Sequence, residues 1–147
     1  MRTVALRYSN SFAPEEGTIQ AHQQLIDQNG FVWYGKLGSR ISETVQNIIM
    51  SGKEPKVLLI HSGTADRFWA YVKEIQFTVP KADGIPEYNR NRAEDFKTWL
   101  KVVRFEKAPR DVLSHCIVVS SGKTLSLASR HSMSPYFIIE YVENAEV

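Results

Sequence analysis

A single cysteine, Cys116, excludes an internal disulfide and with it the stapled architecture of small secreted domains. No apolar stretch approaches the roughly 20 residues needed to cross a bilayer. Residues 1–8 carry two arginines but lack the roughly 7–15-residue apolar core of a secretory signal. These absences point to a soluble chain in a reducing cytoplasm. Charge of one sign is not in excess either. A formal net charge of +2 gives a whole-molecule field that attracts a polyanion only weakly.

Chemistry-bearing motifs are also scarce. The histidines, His22, His61, His115 and His131, stand apart without the paired spacing of a zinc site, so neither a metal nor a cofactor is expected. Ser121-Gly122-Lys123-Thr124 is similar to the end of a phosphate-binding loop, where backbone amides cradle phosphates and a lysine neutralises them. That pattern needs a glycine where this chain has Ile117, and a helix where residues 124–128 look like a strand. No local motif supports Cys116 or a serine as a nucleophile, so no catalytic residue is assigned.

What is present fits one domain: 147 residues, 43% hydrophobic and 23% charged. Residues 3–8 form a short apolar run, and Ser9, Asn10 and Ser11 follow as a turn. Thr18 can cap a first helix, in which Ile19, His22, Leu25 and Ile26 recur at helical spacing before Asn29 and Gly30 stop it. Residues 31–34 predict a strand, and residues 39–50 a second amphipathic helix carrying Ile41, Val45, Ile48 and Ile49 on one side. From Lys56 the runs become β-type, at 57–61, 67–77, 99–105, 117–119, 124–128 and 136–142. Helices first and strands later predict an α+β fold, a small mixed sheet curled into a barrel with two or three short helices packed on it. Residues 78–95 hold Pro80, Gly84 and Pro86 without a regular period, a long loop of the kind that often carries function.

Three features suit nucleic acid. Lys97, Lys101, Arg104, Lys107 and Arg110 crowd one segment with a single acid, Glu106, among them. In residues 67–73 strand alternation places Arg67, Trp69, Tyr71 and Lys73 on one face, mixing rings that stack on bases with cations that hold phosphates. The same ring-bearing face would serve equally as a barrel strand lying under a helix. Trp33 ends a short strand and precedes Tyr34, Gly35 and Gly38, so flexible backbone lies beside a large ring that can take a flat ligand or pack a core.

Longer runs carry a family likeness. Val32-Trp33-Tyr34, then Arg40 and a helix, then Gly52-Lys53-Glu54-Pro55-Lys56-Val57-Leu58-Leu59-Ile60-His61-Ser62-Gly63, then Arg67-Phe68-Trp69-Ala70-Tyr71-Val72-Lys73-Glu74-Ile75 resemble the YTH domain pattern in order and spacing. Leu127-Ala128-Ser129-Arg130-His131-Ser132-Met133-Ser134-Pro135 resembles both the Ser-Arg segment of YTH domains and the Arg-x-Ser-x-x-Pro stretch of the related EVE domains. The resemblance spans residues 18–138 and implies a PUA-like barrel that reads a modified base, such as N6-methyladenine or a modified cytosine, in DNA or RNA, without catalysis. It implies Trp33 as the first wall of an aromatic cage, the backbone at Tyr34 against the base edge, and Arg40 and Arg130 on phosphates, with Lys97 or Arg104 assisting. YTH domains draw a second cage tryptophan from the long loop. Here residues 78–95 contain none, which leaves Tyr88, Trp69 or Trp99 to close the cage. Removing the Trp33 ring is then expected to abolish discrimination and leave the fold intact.

The likeness also suggests the recognition module of a modification-dependent restriction or defence system, with the chain as the N-terminal module of a larger protein because residues 143–147 supply no evident structural ending. Two rivals belong to other classes. One is an ASCH-like hydrolase of a modified nucleoside, built on the same barrel with lysine, threonine and glutamate. The other is a protein-interaction module with Trp33 buried.

Overall fold

The computed structural model describes residues 1–61 and 66–142. Ser62 and Gly63 of the YTH-like run, and the expected lack of an ending at 143–147, lie outside the described residues. In chain order the elements are β1 (Arg2–Arg7), α1 (Thr18–Asn29), β2 (Val32–Lys36), α2 (Glu43–Met50), β3 (Lys56–Ile60), β4 (Phe68–Gln76), α3 (Glu87–Arg90), β5 (Thr98–Lys107), β6 (Cys116–Val118), α4 (Leu125–His131) and β7 (Tyr136–Tyr141). Short 3-10 turns at Ala82–Gly84, Ala93–Asp95 and Val112–His115 complete them. The fold is α+β, and no described helix is long and apolar enough to cross a membrane.

All seven strands form one mixed sheet in the order β2-β5-β4-β3-β1-β7-β6, with β1 parallel to β3 and every other neighbour antiparallel. The sheet curls. Although β5, β4, β3 and β1 separate β2 from β7 in this order, Lys36 Nζ of β2 lies 5.4 Å from the ring centre of Tyr136 on β7. Register shifts between β4 and β5 near Tyr71, Val72 and Glu74 add the local twist that such curvature needs.

Strand alternation divides the apolar side chains between two faces. Inside the curl, Val4 and Leu6 of β1, Val57 and Leu59 of β3, Ala70 and Val72 of β4, and Leu100 and Val102 of β5 meet Val45 and Ile49 of α2. Each such buried aliphatic side chain contributes about 1.5–3 kcal/mol. Outside it, Leu58, Trp69, Tyr71, Phe137 and Ile139 pack under Cys116, Val118 and Leu125. A third cluster, Trp33, Ile85, Ala93, Phe96 and Trp99, seals the far end of the outer face under the 78–97 connection.

Several sequence expectations need correction. Gly17, at φ 91°, is the N-cap of α1, not Thr18. The Thr18 amide instead donates to Asn10 Oδ1 at 3.0 Å and its hydroxyl to the Ser9 carbonyl at 2.7 Å, so the turn after β1 caps the helix from outside. The second helix begins after Ser42, whose Oγ accepts from the Val45 amide at 3.1 Å. Residues 39–41 stay outside it because the Ile41 amide is tied to Thr98 Oγ1 of β5 at 3.1 Å. Residues 124–128 lie at the start of helix α4, not in a strand: Thr124 Oγ1 accepts from the Leu127 amide at 3.3 Å, a cap that outweighs a weak β pattern. The phosphate-loop comparison still fails on its glycine spacing.

Candidate functional site

The turn after β1, the first turns of α1, the end of β2 and the 78–97 connection converge on a cleft of about 150 Å³. Ser9, Ser11 and Phe12 come from the turn, Thr18 and His22 from α1, Tyr34, Gly35 and Leu37 from β2 and its exit, and Tyr88, Asn89, Arg92 and Phe96 from the connection. Rings predominate. The His22 imidazole lies 5.2 Å from the Tyr34 ring at 46° and 6.2 Å from the Tyr88 ring at 82°.

Polar groups share the lining with the rings. Nδ1 of His22 is 2.7 Å from the Thr18 carbonyl, while its Nε2 is buried with no hydrogen-bond partner among the described residues. Burial lowers the His22 pKa to about 4, against the weaker opposing pull of the Thr18 carbonyl, so the ring is neutral at physiological pH. Burial also raises the Tyr34 phenol far above its ordinary range, reinforced by the neighbouring Tyr88 and Tyr8 phenols, and Tyr34 stays protonated. Tyr88 is raised chiefly by burial too, and its hydroxyl donates to Thr18 Oγ1 over a long 3.5 Å. Asn89 is buried, and its Oδ1 accepts from Arg92 Nε at 3.2 Å, which leaves its amide nitrogen as the half with hydrogens to give.

At the mouth the Arg92 guanidinium lies 4.1 Å from the centre of the Phe12 ring and 5.2 Å from that of Phe96. Phe12 is 66% exposed, a large ring held open to solvent under a cation. A larger groove of about 630 Å³ runs between β6, α4 and β7, lined by serine and aliphatic side chains such as Val119 and Leu127 together with Lys123, His131, Tyr136 and Phe137, and it shows no buried unpaired polar atom among the described residues. The small cleft combines clustered rings with an unpaired buried acceptor, and on chemistry it is the stronger candidate.

The residues expected from the sequence are scattered. Tyr34 and Tyr88 meet in the cleft. Trp33, one residue from Tyr34, points to the opposite face by strand alternation and packs with Ile85, Phe96 and Trp99. Its remaining edge borders a separate depression with Phe31, Val79, Pro80 and Lys81. Trp69 and Trp99 are buried and do not line the cleft: Trp69 packs against Tyr141, and Trp99 against Phe96. On the ring-and-cation face of β4 the rings, Trp69 and Tyr71, are therefore core, whereas Lys73 is exposed, and Lys56 Nζ lies 4.4 Å from the centre of the Trp69 ring.

Of the four proposed phosphate ligands, none lines the cleft. Arg40 lies over the Phe77 ring at 3.9 Å and Arg104 over the Tyr71 ring at 3.9 Å. Lys97 donates to the Glu94 carbonyl at 3.3 Å and Arg130 to Ser126 Oγ at 3.3 Å. His22, Phe12, Asn89 and Arg92 were not singled out as site residues by their sequence context. The Ser9-Asn10-Ser11 turn was the available signal, since it carries the chain from β1 across the start of α1. Among the described residues no group of three or more His, Cys, Asp or Glu side chains could hold a metal ion.

A family model described as Pua-like matches residues 4–134, a span from β1 to just beyond α4. No curated protein and no solved structure matches the chain.

Proposed function

Because the chain belongs to the Pua-like family, whose domains commonly bind nucleic acids, we propose that it binds a nucleic-acid strand and takes one modified base into the cleft between Tyr34 and Tyr88. The observation that carries this reading is the meeting of the His22, Tyr34 and Tyr88 rings around about 150 Å³, well below the roughly 300–1,000 Å³ of pockets for drug-sized ligands and suited to one flat heterocycle. Phe12 and Arg92 at the mouth supply a ring for a neighbouring base and a cation for its phosphate. A methyl group, as on N6-methyladenine or a modified cytosine, adds apolar contact against the ring walls that the plain base lacks.

The ASCH-like alternative needs lysine, threonine and glutamate at one place. Thr18 lines the cleft, and no lysine or glutamate does so among the described residues. The lining thus favours binding over hydrolysis. A role as the recognition module of a restriction or defence system, joined to further domains, is the setting we propose from the YTH and EVE likeness.

The test is fluorescence anisotropy with matched single- and double-stranded DNA and RNA, with and without N6-methyladenine or 5-methylcytosine, at one fixed salt concentration. Preference for a modified oligonucleotide supports the reading. Equal binding to all reduces it to general nucleic-acid binding, and no binding points to a protein-interaction module. Chromatography after incubation with modified nucleosides checks the hydrolase alternative, which any product would establish.

A further inference from the structure

We propose that His22 is the specificity-determining residue of the cleft: its Nε2 accepts a hydrogen bond from an N–H on the edge of the bound base. The inference rests on the base-binding reading above and deepens it. A carbonyl oxygen can only accept, so the 2.7 Å contact with the Thr18 carbonyl requires the proton of the imidazole on Nδ1. A neutral imidazole has one N–H, and Nε2 is then a bare lone pair. His22 lines the cleft, and its Nε2 is buried without a partner among the described residues. Leaving a buried acceptor unpaired is costly, and a ligand N–H removes that cost.

The surroundings fix this state. Tyr34, Tyr88 and Phe105 rings lie 5.2, 6.2 and 6.5 Å from the imidazole, centre to centre, and hold its plane. The Thr18 hydroxyl is committed to the Ser9 carbonyl at 2.7 Å and so does not supply the missing proton. Burial disfavours the imidazolium, so the ring does not gain a second N–H near neutral pH.

This geometry selects by chemistry as well as by shape. A primary amine, as on adenine or cytosine, has an N–H to give, and a singly methylated amine retains one while placing its methyl group against the rings. Replacing that N–H by an ether oxygen keeps the outline but sets one lone pair against another, a repulsive arrangement that shape alone does not detect.

The experiment uses the full chain and single-stranded oligonucleotides that differ at one position, measured by anisotropy at fixed salt. The probes are two nearly isosteric pairs and an abasic control: N6-methyladenine against 6-methoxypurine, and N4-methylcytosine against 4-methoxypyrimidin-2-one. For whichever pair binds above the abasic control, the methoxy member is expected to bind roughly tenfold or more weakly. His22→Phe, which keeps a ring and removes the acceptor, is expected to bring the pair within about twofold, and His22→Gln to restore part of the difference. Equal binding of both members to the unaltered protein overturns the inference and leaves the base-binding reading standing. No gain over the abasic control for either pair overturns both. The comparison in the unaltered protein decides the matter even if His22→Phe does not fold.

Discussion

The imidazole of His22 and the phenol of Tyr34 lie 5.2 Å apart, centre to centre, with both side chains buried. The burial of the imidazole has an acid-stability consequence. The folded pKa of His22 is about 4 against an ordinary 6.5, so between those values the unfolded chain binds the proton and the folded chain does not. Stability contributed by neutral His22 is complete above pH 6.5 and is lost as pH falls toward about 4. The loss is on the order of 3 kcal/mol. Tyr34 and Tyr88, which also line the cleft, are both raised by burial and stay protonated across this window. Urea unfolding at pH 7 and pH 4 should show a larger loss for the unaltered protein than for His22→Phe. Equal losses would place the acid sensitivity elsewhere.

Tyr88 separates ring from hydroxyl. Its ring lines the cleft, whereas its hydroxyl donates to Thr18 Oγ1 across a long 3.5 Å. Tyr88→Ala should weaken binding of the preferred oligonucleotide by roughly five- to two-hundred-fold, the worth of one stacking contact at about 1–3 kcal/mol. Tyr88→Phe should stay within about twofold, because so long a hydrogen bond contributes little. Anisotropy titrations of both variants check this pair, and a large effect of Tyr88→Phe would mean that the hydroxyl touches the ligand.

Phe12 and Arg92 should act on affinity without acting on stability. A ring that is 66% exposed has little burial to lose, so Phe12→Ala should leave the unfolding midpoint nearly unchanged while weakening oligonucleotide binding. Arg92→Gln should lower the slope of log affinity against log salt by about one unit, the signature of one lost phosphate contact. An unchanged slope would remove Arg92 from the phosphate path.

Trp33 shows where the sequence could and could not speak. Its place in a short strand before glycine was legible, as were β1, the stop of α1 at Gly30, β3, β4, β5 and β7, because apolar runs and turn residues act locally. Which face of β2 meets a ligand was not legible. Trp33 and Tyr34 alternate and both are buried, and only the course of the 78–97 connection decides which of them borders the cleft with Tyr88. That segment lays Gly84 onto Trp33, where an added Cβ would sit 2.8 Å from Trp33 Cδ1, and brings Tyr88, Asn89 and Arg92 to the side of Tyr34. Helix α4 was hidden for a related reason, since its single buried side chain, Leu125, leaves no repeating apolar stripe to find. Trp33→Ala, expected from the sequence to spare the fold, should instead cost about 3–5 kcal/mol as a cavity in a packed cluster. A denaturant midpoint close to that of the unaltered protein would contradict the burial.

Gly35 joins packing to the cleft most directly. A Cβ built there would lie 2.6 Å from Phe96 Cγ, closer than any real contact, so the phenyl ring rests flat on the glycine. Phe96 meets Trp99 edge to face at 5.3 Å on one side and lines the cleft on another, so the cleft is the direction open to it. Gly35→Ala should therefore destabilise by about 1–3 kcal/mol, as overpacking does, and push the ring toward the cleft so that oligonucleotide affinity falls as well. Gly52→Ala is the matched control, because nothing lies within 4 Å of its added Cβ and it should change stability by no more than about 0.5 kcal/mol. Denaturant unfolding and anisotropy on the two variants test the linkage. If Gly35→Ala loses stability but keeps full affinity, the Phe96 side of the cleft is not where the base enters.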